Sequence, residues 1–266
     1  MTAAVLLEAV DYSYPDGTRA LHEITLSVAK GSRVGVVGPN GAGKTTLLLV
    51  LAGLYQPIRG RIFVGESSRE GTAVDSRFSV LFQDPDDQVI FPRVLDDVAF
   101  GLRIERCEEE RAQRKAREML RTIGIEALEH RHPARLSGGE KRLVALAGAL
   151  VTAPRFLLLD EPSSGLDPRA RRRIIEFLRS RKETLIVATH DLELVLELCP
   201  RTVLLDEGRI VADGATSEIM QNGPLLTRHG LEIPYSLRRE HIHPIMPDDP
   251  HHRRHHEEGI PHTHGA

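Results

Sequence analysis

Short apolar runs separated by polar turns fill residues 6–64, and three of them, residues 24–28, 33–37 and 61–64, read as β-strands, with Asp16-Gly17 as a turn signal. Residues 44–54 are almost wholly apolar after Thr46, which predicts a helix buried on most sides. Residues 78–82 form the next strand. Beyond Pro92 the period changes: Ala112, Ala116, Met119, Leu120 and Ile123 recur at helical spacing with Glu and Arg between them. Gly138-Gly139 precedes a further helix over residues 143–151. The run 156–159, bounded by Pro154 and by Asp160-Glu161, reads as a strand covered on both faces. A basic helix after Pro168, a strand at 184–188, a helix from Leu192 and a strand at 202–205 complete the pattern.

Strands alternating with helices indicate an α/β domain with a largely parallel sheet, and the helical stretch, about residues 92–152, reads as a lobe inserted into it. This domain is expected to occupy residues 1–232. From 233 to 266 the composition turns to His, Pro, Asp, Glu and Arg with hardly an apolar residue, so a tail without a core of its own is expected. No internal repeat is present.

Composition narrows the function by exclusion. The net charge of −3 provides no global basic face for nucleic acid, although local patches remain open to it; no nucleic-acid partner is expected once the motifs below are added. Cys107 and Cys199 stand far apart without CxxC or Cys/His spacing, which points to a reduced, cytoplasmic setting rather than a disulfide framework or zinc finger. No run approaches the roughly 18 apolar residues of a membrane helix, and residues 1–14 lack a signal-peptide pattern. A role in transport would therefore need membrane subunits from elsewhere.

Gly38-Pro39-Asn40-Gly41-Ala42-Gly43-Lys44-Thr45 follows a predicted strand and opens a predicted helix, the context that makes G-x-x-x-x-G-K-[ST] a phosphate-binding P-loop. Glycines let the backbone wrap a phosphate with its N–H groups turned inward, and the helix N-terminus adds a favourable dipole. Lys44 supplies a cation to the β- and γ-phosphates, and the Thr45 hydroxyl is a Mg²⁺ ligand. ATP and Mg²⁺ are the expected cofactors. At the end of the later apolar strand, Asp160 is placed to hold Mg²⁺ and Glu161 to polarise the attacking water; taken alone, such a pair could be an ordinary strand-end charge pair.

Between these motifs stands Leu136-Ser137-Gly138-Gly139-Glu140, which by itself could be a helix N-cap with a flexible entry. In this order the motifs resemble the ATP-binding cassette (ABC) family and its signature sequence. Gln83 resembles the family's Q-loop glutamine, Ser164-Gly165-Leu166-Asp167 its D-loop, His190 its switch histidine, and Tyr14 its adenine-stacking aromatic. Each has a bland alternative: a surface amide, a strand-end histidine, a core ring. The resemblance implies a P-loop NTPase core with an antiparallel β-subdomain and an inserted α-helical subdomain. Glu161, His190 and Gln83 would be catalytic; Thr45, Gln83 and Asp160 would hold Mg²⁺. Tyr14, Gly38 to Thr46, the signature residues Ser137, Gly138 and Gly139, and Asp167 would contact nucleotide. Two cassettes, identical or paralogous, would face head to tail, with Ser137 and Gly139 of one donating to the γ-phosphate held by the other. Hydrolysis would open that dimer and drive integral membrane subunits from the cytoplasmic face of the cell membrane. Glu140 stands where Gln is commoner, and Arg142-Leu143 where Gln-Arg is commoner; altered tuning is the expected consequence.

Phe82-Gln83-Asp84-Pro85-Asp86-Asp87-Gln88 resembles the Q-loop of energy-coupling-factor importers, the cobalt, nickel and vitamin group, with Asp84 for the typical Asn. The resemblance implies that this stretch meets the coupling helices of a membrane partner and that a separate membrane subunit binds the cargo. A merely capped turn is the alternative. In the tail, His241, His243, His251, His252, His255, His256, His262 and His264 offer imidazoles that suit Ni²⁺ or Co²⁺. Arg253-Arg254 and Glu257-Glu258 interrupt them, unlike a purification tag; a functionless solvated tail is the other alternative. A soluble ABC ATPase acting on DNA or ribosomes is the rival reading, disfavoured by the single P-loop and the absence of a heptad array.

Overall fold

The computed structural model describes residues 3–65, 67–69 and 75–238. In chain order the strands are β1 (Ala3–Ser13), β2 (Arg19–Ala29), β3 (Arg33–Val37), β4 (Arg59–Val64), β5 (Ser67–Arg69), β6 (Phe78–Leu81), β7 (Phe156–Asp160), β8 (Thr184–Ala188), β9 (Arg201–Asp206) and β10 (Arg209–Ala215). The helices are α1 (Lys44–Ala52), α2 (Val94–Ile104), α3 (Glu109–Ile123), α4 (Gly138–Leu150), α5 (Pro168–Ser180), α6 (Leu192–Leu198), α7 (Thr216–Gln221) and α8 (Gly223–Arg228).

Two sheets result. The larger runs β10-β9-β3-β8-β7-β6, parallel from β9 to β6 with β10 antiparallel at one edge; the smaller is the antiparallel sheet β2-β1-β4-β5. The run Phe156 to Asp160 is buried at every position because both faces of β7 are covered. Phe156 and Leu158 join a core that α1 fills between the two sheets, with Leu47, Leu48 and Leu51. Leu157 and Leu159 point the other way, into a core shared with Ile174 and Leu178 of α5 and with the helices α2 to α4.

The near-absence of a polar stripe on α1 is thus the signature of a helix sandwiched between sheets. Gly53, at φ 80°, ends it before the expected residue 54. On α3, Ala112, Ala116, Leu120 and Ile123 are buried on one stripe, and Gly124 at φ 79° closes the helix. Among the described residues no helix is long and apolar enough to cross a membrane, and both cysteines are free. The described chain continues past residue 233 to Arg238: Ser236 donates from its backbone and its hydroxyl to Glu193 at 3.0 and 2.7 Å, and Leu237 packs on the larger core.

Candidate functional site

The P-loop joins the carboxyl end of β3 to α1, at the centre of the parallel sheet, where such sheets place their ligand crevices. Two of its glycines, Gly38 and Gly43, are sterically required. A Cβ on Gly38 would lie 2.0 Å from the Leu205 carbonyl oxygen, and one on Gly43, at φ 100°, would lie 2.6 Å from that of Ala20. Lys44 is buried, and its Nζ donates to the carbonyls of Gly38 and Pro39 at 2.8 and 2.9 Å. Burial pushes its pKa down, against the opposing pull of Glu161 and Asp160. A buried ammonium held only by carbonyls has unspent charge, which suits an incoming phosphate.

Strand β7 delivers the carboxylates. The Thr45 hydroxyl donates to Asp160 Oδ2 at 2.6 Å, so the second residue of α1 and the last residue of β7 meet. Burial raises the Asp160 carboxyl above its ordinary value, with the Thr45 bond partly opposing. A hydroxyl and a desolvated carboxylate side by side form a hard oxygen donor set that fits Mg²⁺. Glu161 sits at φ 48°, a strained backbone conformation for a glutamate. Its carboxylate accepts from Thr189 Oγ1 at 2.8 Å on one oxygen, and from the His190 backbone N–H at 3.0 Å on the other. His190 Nδ1 lies 2.7 Å from that second oxygen.

A cavity of about 460 Å³ gathers Tyr14, Asn40 to Thr46, Gln83, Asp160, Glu161 and His190 on its walls. Gly38 and Pro39 lie behind it as acceptors for Lys44. Tyr14 is half-buried, edge-on to Tyr12 and Tyr55, with its hydroxyl 2.7 Å from Thr46 Oγ1, so the ring combines core packing with a place on the cavity wall. Gln83 is exposed and also borders a neighbouring cavity of about 640 Å³ with Thr45, Asp160 and Arg142. Ser137, Gly138 and Gly139 do not line the nucleotide cavity of their own chain, and neither does Asp167, which caps α5 by accepting from the Ala170 N–H at 2.8 Å. Ser137 caps α4 in a capping box: Glu140 accepts from the Ser137 backbone N–H at 2.8 Å, while the Glu140 N–H donates to Ser137 Oγ at 3.3 Å. The tail histidines 241, 243, 251, 252, 255, 256, 262 and 264 lie outside the described residues. Among the described residues, no group of three or more His, Cys, Asp or Glu could hold a metal ion.

Two participants escaped the sequence reading. Thr189 is fully buried and holds Glu161, and its position immediately before His190 was the available signal. Arg142 entered that reading only as a departure from the family's motif. It is buried on α4 and donates to the carbonyl oxygens of Glu161 and Gln83 at 2.7 and 2.8 Å, a role that only the folded arrangement exposes.

A P-loop at the centre of a parallel sheet, with an antiparallel sheet beside it and a helical lobe between β6 and β7, defines the class of cassette-type P-loop ATPases. The chain belongs to the ABC transporter family, whose model matches residues 21–164. It is 47% identical over 244 residues to a protein of Gloeobacter violaceus named provisionally as an ABC transporter ATP-binding protein, covering 90% of this chain and 100% of that one. It is 39% identical over 236 residues to the energy-coupling factor transporter ATP-binding protein EcfA of Methanothermobacter thermautotrophicus, covering 86% of this chain and 76% of that protein. The solved structure of cbiO1 from Clostridium perfringens, described as part of the ABC transporter complex cbiONQ, superposes with a TM-score of 0.74 at 31% identity, covering 86% of this chain and 94% of that one. The domain is therefore an ATP-binding ATPase of transporter type, in a family whose ATPases dimerise and work with membrane subunits.

Proposed function

We propose that this chain energises an importer of the energy-coupling-factor type, paired head to tail with a second cassette on the cytoplasmic face of the cell membrane, and that the cargo is Co²⁺ or Ni²⁺. The observation that carries the importer reading is the loop Phe82 to Gln88. The Gln88 side chain accepts from the Phe82 N–H at 3.2 Å and donates to the Val80 carbonyl at 3.1 Å, and Asp84 caps the turn that follows by accepting from the Asp86 N–H at 2.9 Å. The residue pattern of that importer group thus corresponds to a closed, braced loop. Two residues on, Ile90 is 68% exposed, and Phe91 is in ring contact with Phe100 of α2 at 4.9 Å. This apolar ground supports docking of a membrane subunit. The likeness to EcfA and to cbiO1 supports the same reading.

On this reading the triphosphate lies against the N–H groups of the P-loop and Lys44, with the adenine on Tyr14. Thr45, Asp160 and Gln83 would hold Mg²⁺, which when bound neutralises charge on the β- and γ-phosphates. Glu161 accepts the proton of the attacking water while its oxygen bonds to the γ-phosphorus and the bond to the ADP oxygen breaks. His190, already on the Glu161 carboxylate, orients that base. Ser137 and Gly139 serve the partner's nucleotide, which accounts for their lying off their own cavity. The tail histidines would bind Ni²⁺ or Co²⁺ on the cargo side of this role.

Reconstitution with candidate membrane subunits in proteoliposomes tests the function. ATP-dependent uptake of Ni²⁺ or Co²⁺, lost with Glu161→Gln, supports it. Co-sedimentation with ribosomes or DNA in place of membrane proteins would favour a soluble role.

A further inference from the structure

Arg142 is 6% exposed, yet its guanidinium meets neutral carbonyls at 2.7 and 2.8 Å and forms no ion pair among the described residues. Burial pushes its pKa down, with the charges of Glu161, Asp84 and Asp160 opposing from a distance. A desolvated cation without a contacting anion is costly, and a hydrophobic residue of similar size would pack there more cheaply. What the guanidinium offers instead is a rigid fork that reaches two backbone segments at once.

Those segments are the two catalytic loops. The Glu161 carbonyl fixes the peptide that follows the strained residue at φ 48°, and so the direction in which the Glu161 side chain leaves the backbone. The Gln83 carbonyl fixes the loop after β6. The preceding residue, Lys141, holds the same loop from the outside by an ion pair with Asp86. Both basic residues sit in the first turns of α4, directly after the Ser137 cap. One short stretch of helix therefore carries Ser137 at its tip and grips Gln83 and Glu161 by its side.

We infer that Arg142 is a positioning residue that couples the two composite ATP sites of the dimer: through it, the helix that presents Ser137 to the partner's nucleotide sets Gln83 and Glu161 at its own. The inference rests on the reading that Ser137 acts in trans. Any displacement of the loops by nucleotide in one site is transmitted to α4, and contact of α4 with the partner's nucleotide is transmitted back, as reciprocal coupling requires. Glu140, bonded to both the backbone and the hydroxyl of Ser137, places a carboxylate at the tip of the same lever.

The test uses full-length dimers in which one copy carries Lys44→Ala and the other Ser137→Arg, leaving one intact composite site. Arg142→Met is added either to the copy whose P-loop is intact or to the copy whose signature is intact. The coupling predicts that turnover falls at least about tenfold in both placements, while ATP affinity of each isolated chain stays within about threefold of its parent. A fall only when the substitution lies beside the intact P-loop would reduce Arg142 to local support of its own site and overturn the coupling. Arg142→Lys, which keeps the charge but cannot span both carbonyls, provides the same comparison, with its melting temperature measured alongside to separate lost coupling from lost folding. If the dimer is silent before Arg142 is touched, the trans reading itself has failed and the inference falls with it.

Discussion

His190 grips the Glu161 carboxylate twice, its backbone N–H donating to Oε1 at 3.0 Å and its ring Nδ1 lying 2.7 Å from the same oxygen. Thr189 occupies the other oxygen. Glu161→Gln keeps the shape but removes the proton acceptor, so ATP binding should stay within about threefold while hydrolysis falls on the order of 10²-fold or more. Turnover in the assembled complex within about threefold of the parent would show that another group is the base.

The Thr45–Asp160 pair predicts a trade between stability and function. A carboxyl whose pKa is raised on folding costs stability wherever it is ionised; the cost is complete above its folded value and disappears below the unfolded value of 3.8. Asp160→Asn removes the charge and keeps an acceptor for the Thr45 hydroxyl. The nucleotide-free variant should melt higher at neutral pH, by roughly 2–4 °C for a gain of about 1 kcal/mol, and the difference should close as pH falls below the carboxylate range. The added stabilisation by MgATP should be lost. Calorimetry at pH 7 and in acid, with and without MgATP, checks both halves.

How far the site was legible depends on where its information resides. The P-loop, Asp160-Glu161 and the strands β3 and β8 were visible because chemistry, glycine placement and two-sided burial all leave local patterns. β10 was not, because it alternates exposed and half-buried residues at a sheet edge. Its hairpin turn uses Glu207 and Gly208, at φ 45° and 71°, in place of the usual Asn-Gly. Arg142 was read only as a departure from a motif, since its partners are the backbone carbonyls of residues 19 and 59 positions away. No local period reports a contact of that kind. The signature posed the reverse problem: its residues were legible, and their absence from their own cavity is what the folded chain adds.

A cut after Arg238 removes no P-loop, signature or carboxylate residue and keeps the contacts of Ser236 and Leu237. Basal ATPase should persist. Ni²⁺ or Co²⁺ bound per chain should fall, and binding by the intact chain should fade below about pH 6 as imidazoles take up protons. Equal metal binding by calorimetry with and without the tail would show that these histidines serve another purpose.

The central claim, an ATP site completed by the signature of a second cassette, is tested most directly by ATP turnover of mixed inactive chains. Lys44→Ala removes the phosphate cation, and Ser137→Arg blocks the tip of α4; each alone should be inactive as a dimer. Combined in equal amounts, about half of the dimers are mixed and each has one working site out of two, so roughly a quarter of wild-type turnover is expected of the mixture if signature and P-loop act across the interface. A mixture as silent as its parents, with each chain folded and the Ser137→Arg chain still binding ATP, would contradict the account.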